Sequence, residues 1–495
     1  MDVQSQIPLV DYLIMPDLEG FSPSSFGDGV KIMNRGEAAA RTQIDVLRAL
    51  ADSVNSLGQP PQRIELPKND SILISDIEVL AASPSMTRFF IEKSGLESGT
   101  WINPEELNDG IDKLFGTLFF EKIEYYFENM DEGKRLVFRI KEKPVSSIGV
   151  ALHYDNAFGP GFILNYTHLN SLVEGSRLGL TADISESPQL RGYYDIHLGK
   201  KRNSIGSVFV KAEREELPFY SNDVDIGNYH HSFLSTGISL LQTLGTNSHV
   251  SAELDYRYST LKLSRNIKEV RPELEYLDNL IYRGPEMALL FQRNSFDNNL
   301  YPTRGSRVDI KYRHAFNTSF ISIFDFPDSL DVENRHNEKM DPYWVLTVDM
   351  ENYLPLGSKV SVNTGIGTGI SHNDKPFPDN FYVGDYRYNL RENQVAFVGL
   401  HNHELLQGNY LKGKLALQVE IIPNLYLSAL GNLIVVSDDN TEFLDDILSW
   451  NDDARYIGAG AGFTYKTPIG PVSVYLGSRT DIWNLIWYTS IGFTF

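Results

Sequence analysis

The sequence contains no cysteine, which excludes disulfides, thiolate metal sites and a cysteine nucleophile. It has no apolar run near the roughly 18–20 residues that a membrane helix requires, and its mean hydropathy is slightly negative, at -0.25. An excess of positive charge is missing too. The 495 residues carry a net charge of -21, which argues against nucleic acid as a partner. The N-terminus lacks the basic, apolar, small-residue order of a secretory signal, and no G-x-S-x-G nucleophile turn occurs anywhere. A hydropathy scan alone would describe a soluble acidic protein.

What is present changes that reading. Aromatics make up 12% of the chain, with 26 Tyr, 27 Phe and 38 Gly, a profile that suits aromatic girdles and closely packed strands. Three compositional regimes follow one another. Residues 1–57 predict a strand, VDYLIMPDL, then a helix in NRGEAAARTQIDVLRALADSV, with Asn34 as N-cap and Ala38, Ile44, Leu47 and Leu50 near one face. One strand and one helix cannot bury a useful core, so this region reads as the tail of a larger α/β domain. Residues 58–71 are polar and proline-containing, and read as a linker.

Residues 72–143 have the order strand, helix, helix, strand, strand. The second helix opens at Asn103-Pro104, a cap followed by proline at the first helical position. In the last strand Leu136, Phe138 and Ile140 alternate with Arg135, Arg139 and Lys141. The region is a compact α+β module.

From Val145 to Phe495 only the period of two remains. In the last segment Trp483, Leu485, Trp487, Thr489, Ile491, Phe493 and Phe495 share one face. Elsewhere the second face carries charge: Val250, Ala252, Leu254, Tyr256 and Tyr258 oppose Ser251, Glu253, Asp255, Arg257 and Ser259. Sixteen strands are predicted, the first at 145–156 and the last at 483–495. A soluble sandwich also alternates, but here the connections keep a fixed phase. Even-to-odd turns are tight, as in PLGS, IPN and TPIGP, whereas odd-to-even connections include long loops at 217–228, 263–276, 317–341, 372–408 and 439–454. Short turns on one side, long loops on the other and an even strand number define a 16-stranded antiparallel transmembrane β-barrel of a bacterial outer membrane. Closure also removes sheet edges that lipid cannot satisfy. A protein bound for that membrane needs a signal peptide, so the chain is expected to begin downstream of one or to have lost it.

Each regime resembles part of one architecture. MPDLEGFSPSSFG followed by NRGEAAAR is similar to the C-terminal end of a bacterial patatin-like phospholipase domain. The 72–143 module, with Gly110 to Phe127 as its helix-to-strand segment, resembles a polypeptide-transport-associated (POTRA) domain. The barrel resembles the BamA-type superfamily of outer-membrane insertases and transporters. The turn before strand nine carries Asp297, Pro302 and Gly305 where that superfamily places Asp, Pro and Gly. Trp487, Ile491, Phe493 and Phe495 resemble its C-terminal β-signal. Patatin domain, one POTRA domain and barrel, in that order, is the layout of patatin-type autotransporters. The resemblance implies a POTRA domain in the periplasm, contact with outer-membrane lipids, and the barrel-assembly machinery as a partner during insertion. A polypeptide client, a lipoprotein partner and a homodimer stay open. Its functional expectation is anchoring or transport of a phospholipase portion. The alternatives are that the intact gene product is a phospholipase A, or that the barrel is an assembly factor or lipoprotein scaffold.

Two departures stand out. The D-G pairs Asp28-Gly29 and Asp109-Gly110 do not sit in a catalytic context, so no catalytic residue is assigned and this chain is expected to be inactive on esters. In the sixth outer loop the superfamily ends in V-R-G-[F/Y], and its Arg pairs with an Asp on strand thirteen. Here Phe397-Val398-Gly399-Leu400 stands at the motif, with Val398 for the Arg and Ala429 for the Asp. Losing both partners is coherent, because a lone buried charge is costly. Arg387 and Arg391, upstream in the loop, are expected to pair with lumen acids such as Asp349 or Glu351. The triplet His401-x-His403-Glu404 and the pairs Asp438-Asp439 and Asp452-Asp453 read as loop residues, so neither a metal nor a cofactor is expected. Glycines at 365, 367, 369, 458, 460 and 462 read as room for an inward-folded loop, or as strand curvature.

Overall fold

The computed structural model describes residues 7–10, 12–21, 29–56, 71–80, 82–221, 224–326, 334–372, 375–387, 393–439, 441–449, 451–482 and 484–492. The chain divides into two units, Met1–Asp70 and Ser71–Phe495.

The first unit holds two helices, α1 (Gly29–Arg41) and α2 (Ile44–Ser56), neither of which buries a residue. Two expectations are corrected here. Residues 12–18 form no strand, because no described segment of the unit offers them a ladder partner. Asn34 is not an N-cap but lies inside α1, which opens five residues earlier at Gly29.

The second unit begins with the α+β module: β1 (Ile72–Leu80), α3 (Pro84–Ser94), β2 (Thr100–Ile102), α4 (Pro104–Gly116), β3 (Phe120–Asn129) and β4 (Lys134–Glu142). The sheet order is β2-β1-β4-β3, with β1 parallel to β4 and the other pairs antiparallel. Local chemistry sets the helix starts. The Ser83 side chain accepts from the Met86 N–H, and Asn103 forms a full capping box with Glu106. The core is apolar, with Phe90, Leu114, Leu136 and Phe138 fully buried. Each such side chain contributes roughly 1.5–3 kcal/mol of burial free energy.

The remainder is a closed barrel. Its first four strands are short: β5 (Ser146–Asp155), β6 (Gly159–Leu169), β7 (Ser176–Ser185) and β8 (Gln189–Leu198). The next four are tall: β9 (Ser204–Ser221), β10 (Val224–Thr243), β11 (Ser248–Leu263) and β12 (Leu277–Asn294). After β13 (Gly305–Ala315) a hairpin, β14 (Ser319–Phe324) and β15 (Arg335–Lys339), continues the sheet by pairing on the upper part of β12. The wall resumes with β16 (Tyr343–Pro355), which pairs with β13, and β17 (Val360–His372). A loop then contributes β18 (Phe381–Val383), β19 (Gln394–Val395) and β20 (Leu405–Gln407). The last five wall strands are β21 (Asn409–Ile422), β22 (Leu425–Ser437), β23 (Arg455–Thr467), β24 (Gly470–Arg479) and β25 (Ile486–Gly492). Without the hairpin and the loop strands, the wall has sixteen antiparallel strands.

The described residues of the expected loop at 217–228 are instead strand, with β9 running to Ser221 and β10 starting at Val224. Strands of 18 and 20 residues are nearly twice the roughly 9–11 that a bilayer needs. Their upper ends are held by an apolar cluster of Leu217, Tyr229, Leu261 and Ile267, the last on α5 (Arg265–Val270) in the next loop. A second loop helix is α6 (Phe443–Ser449).

Alternation sorts the wall into two faces. Ile148, Leu152, Leu254 and Leu415 stand exposed on the outside, while Asp255, Arg257, Glu286 and Arg313 are buried inside. The module packs on the turn side of the barrel. His197, at the end of β8, sits edge-on between Phe89 and Phe119, and Arg202 pairs with Glu92 at 2.8 Å. The Lys93 ammonium donates to the Arg202 carbonyl at 2.9 Å. Burial there, with Lys113 nearby, pushes the Lys93 amine below its ordinary range.

Candidate functional site

The interior of the barrel is occupied by the loop between β17 and β21. Its strands form a small sheet in the order β19-β18-β20. Phe381, Val383, Phe397, Val398 and Leu400 within the loop are fully buried. A loop of this length folds inward only where the wall supplies partners for it, and three groups of partners do so.

The first is ionic. Asp379 accepts from Arg313 at 3.1 Å, from Arg257 at 3.4 Å and from the Tyr343 hydroxyl at 2.7 Å. Glu286 on β12 faces the same two guanidinium groups, at 3.0 Å from Arg257 and 3.5 Å from Arg313. Asp255 adds a third carboxylate, 3.5 Å from Arg257, so three acids surround two guanidiniums, all of them buried. Such a set adds little net stability over an apolar core, but removing one member leaves an uncompensated charge.

The second group straddles the junction where the barrel closes. Arg387 reaches Asp155, the last residue of β5, at 2.9 Å, and also chelates Asp385. Beside it Tyr386 stacks on Tyr475 with ring centroids 4.3 Å apart, and shares a hydrogen bond with Ser490 of β25 at 3.2 Å. The Gly399 N–H donates to the Tyr488 hydroxyl, which donates to the Leu400 carbonyl. Among the described residues, β25 and β5 pair at only three positions: Ser490 with Asp155, Ile491 with Tyr154 and Gly492 with His153. The loop therefore holds both sides of a short seam.

The third group is a notch. A Cβ at Gly460 or Gly477 would come 2.7 or 2.4 Å from Val398 Cγ2. Only glycines on β23 and β24 leave room for that side chain. On β17, Gly369 likewise accommodates the Phe381 ring, and Gly367 leaves the space into which Asp349 and Lys412 reach.

The expected partners of the loop arginines are corrected by this geometry. Arg387 pairs with Asp385 and Asp155, not with Asp349 or Glu351, because this arm of the loop lies against the seam. Glu351 instead binds Lys414 at 3.0 Å and Arg307 at 3.3 Å. Arg391 lies outside the described residues. The strand-thirteen reading shifts by one residue: Ala429 is exposed on the outer face, whereas Leu430 packs against the cluster of Val398, Tyr475, Ile486 and Tyr488. An apolar contact thus stands where the sequence had already lost both partners of an ion pair.

The remaining candidates do not converge on a reactive centre. His401 stacks on Tyr220, His403 lies against Tyr382, and Glu404 binds Arg479 at 3.3 Å. No group of three or more metal-ligating side chains forms among the described residues. Asp438 accepts from the Gly408 N–H, and Asp452 pairs with Arg455. Gly305 is the first residue of β13, and Asp297 and Pro302 lie before it in the turn 295–304. There Asp297 accepts from the Thr303 N–H and hydroxyl and from the Arg304 N–H. Slight burial opposes ionisation, but these bonds hold the carboxyl below its usual range. Trp487 and Ile491 face outward on β25, while Phe493 and Phe495 lie outside the described residues.

A closed sixteen-stranded barrel, apolar outside, charged inside and plugged by its own loop, defines a protein of the outer membrane. A family model of the OMP85 superfamily matches residues 221–495, more than half of the chain, and the chain belongs to that superfamily. Its fold is similar to BamA from Haemophilus ducreyi lacking POTRA domains 1–3, with a TM-score of 0.59 and 16% identity, over 86% of this chain and 85% of that one. It is also similar to CdiB from Acinetobacter baumannii, with a TM-score of 0.54 and 11% identity, over 85% and 73% respectively.

Proposed function

We propose that this chain is the membrane end of an outer-membrane protein that anchors a patatin-like domain, with the 72–143 module acting as a periplasmic POTRA domain. The observation that carries the reading is in α1 and α2. Val30, Met33 and Val54 are exposed, and neither helix buries a residue. A helical pair whose apolar side chains stay exposed among the described residues fits one layer of a larger domain. The resemblance of residues 15–41 to a patatin terminus supports the identity of that domain. The order of elements in the module, with β1 parallel to β4, supports the POTRA reading, and its outer strands β2 and β3 offer edges for an extended peptide.

Anchoring is favoured over conduction because the loop fills the lumen and is bonded to the wall on several sides. The test is topological. An epitope placed before residue 7 should resist protease and antibody in intact cells and become accessible once the outer membrane is permeabilised. Labelling in intact cells would instead establish transport to the surface. No hydrolytic role is assigned to this chain, and release of fatty acid from a phospholipid by the purified protein would overturn that.

A second reading, assembly of other polypeptides into the membrane, is favoured by the seam. Three residue pairs with a bonded loop beside them make the weakest described junction in the wall. If this reading holds, photocrosslinkers at Val150 or Leu152 on β5 should capture nascent outer-membrane proteins in cells.

A further inference from the structure

Six of the seven even-to-odd connections have two to six residues, whereas the one between β12 and β13 has ten, Ser295 to Arg304. A connection of that length on the tight-turn side of a barrel needs a reason. Its interior is built to hold one shape. Asp297 ties down Thr303 and Arg304, and Asn298 accepts from the Leu300 and Tyr301 N–H groups. The turn closes at Gly305, with φ +111°, where a Cβ would strike the Ser295 carbonyl at 2.2 Å.

The turn projects across the barrel rather than along its rim. Tyr301 stacks on Tyr426 of β22, with centroids 4.7 Å apart and planes 9° from parallel. The Lys466 ammonium of β23 sits over both rings, at 5.0 and 5.4 Å. The Tyr301 hydroxyl lies near the paired hydroxyls of Thr464 and Ser473 on β23 and β24. The Gln418 side chain of β21 donates to the Pro302 carbonyl at 3.1 Å. In the wall, β16 and β17 stand between β13 and β21, and β22 to β24 lie beyond. The contacts therefore form a chord across the mouth. Deeper in the barrel lies a cavity of about 470 Å³, lined by Lys211, Gln292, Lys311, Thr347 and Asp349 and roofed by Asn393 and Gln394 of the plug loop.

We infer that the turn 295–304 is a latch. It floors the lumen on the side that is periplasmic in an outer-membrane barrel, and it swings out before anything from the periplasm enters the cavity. The lumen is then closed at two independent points, by the plug loop above and by the Tyr301 clasp below. Asp297, Pro302 and Gly305 serve the clasp by fixing where Tyr301 points.

The absence of native cysteine makes the test direct. Thr347→Cys places one thiol in the cavity of the full chain, and its reaction with a maleimide coupled to a bulky polyethylene glycol is followed in detergent micelles. Tyr301→Ala should speed modification about tenfold, roughly the worth of a stacked aromatic pair. Tyr301→Phe, which keeps the stack, should stay within about threefold of the parent. Lys466→Met leaves the turn's own sequence intact and should give an intermediate rate, which keeps the idea testable if Tyr301→Ala fails to fold. Folding is checked by heat-dependent gel migration. Equal rates for the parent, Tyr301→Ala and Lys466→Met, with folding intact, would overturn the latch. So would equal acceleration by Tyr301→Phe and Tyr301→Ala.

Discussion

In the 72–143 module Phe90, Leu114 and Phe138 are fully buried, while Arg135 lies partly exposed among Asp76, Glu78 and Glu128. In the barrel Ile148, Leu152 and Leu415 stand on the exterior, and Asp255, Arg257, Glu286 and Arg313 are buried. The same period of two builds both regions, and the surrounding medium decides which face is inside. The module is held by area removed from water. The barrel interior is filled by a loop that combines buried apolar side chains, such as Phe381 and Phe397, with charges matched to the wall.

Breaking each core should expose this difference. Phe90→Ala removes a fully buried ring and should destabilise the module by about 3–5 kcal/mol, read as a loss of protease resistance in residues 72–143. Asp379→Ala is expected to cost a similar 3–5 kcal/mol for another reason, since Arg257 and Arg313 lose a shared counter-charge. Its effect should be confined to the plug loop and the upper wall in limited proteolysis. The outer face sharpens the contrast. Leu415→Arg should cost about 2–4 kcal/mol if that residue faces the bilayer centre, in chemical unfolding from lipid vesicles, whereas Leu415→Ala should cost far less than Phe90→Ala.

The glycine notch predicts a smaller effect. Gly477→Val leaves no space for Val398, and overpacking of this kind costs about 1–3 kcal/mol. It should loosen residues 397–400 while leaving the module unchanged. The smallest effect concerns pH. The native Asp297 carboxyl is held below its usual range, so its contribution is present above the unfolded value of about 3.9 and is lost as pH falls through the native one. Exchange of the Thr303 and Arg304 amides, corrected for its intrinsic pH dependence, should therefore speed up as pH falls through the native value, and Asp297→Asn should remove that step.

The wall was legible because alternation with a charged face, as in 250–259, survives wherever one side meets lipid. It failed where both faces are apolar. In Leu425–Ile434 leucines occupy both parities, so the inward residue next to the motif was misassigned to Ala429 when it is Leu430. The height of β9 and β10 was hidden because Pro218 and Gly227 mimic a loop. The seam partner of Arg387 was not legible, since Asp155 lies more than 200 residues away and meets it only when the barrel closes. The glycines of β17 and β23 left an inward loop and strand curvature as alternatives; Gly369, Gly458 and Gly460 meet the loop, whereas Gly365, Gly367 and Gly462 face wall residues.

The claim that the lumen is filled by a bonded loop is tested most directly by hydrogen exchange on the full chain in lipid. Backbone amides of 394–400 should exchange as slowly as those of β21, far more slowly than those of the outer loop 441–454, and Asp379→Ala should remove that protection. Rapid exchange of 394–400 in the unmodified protein would contradict the account.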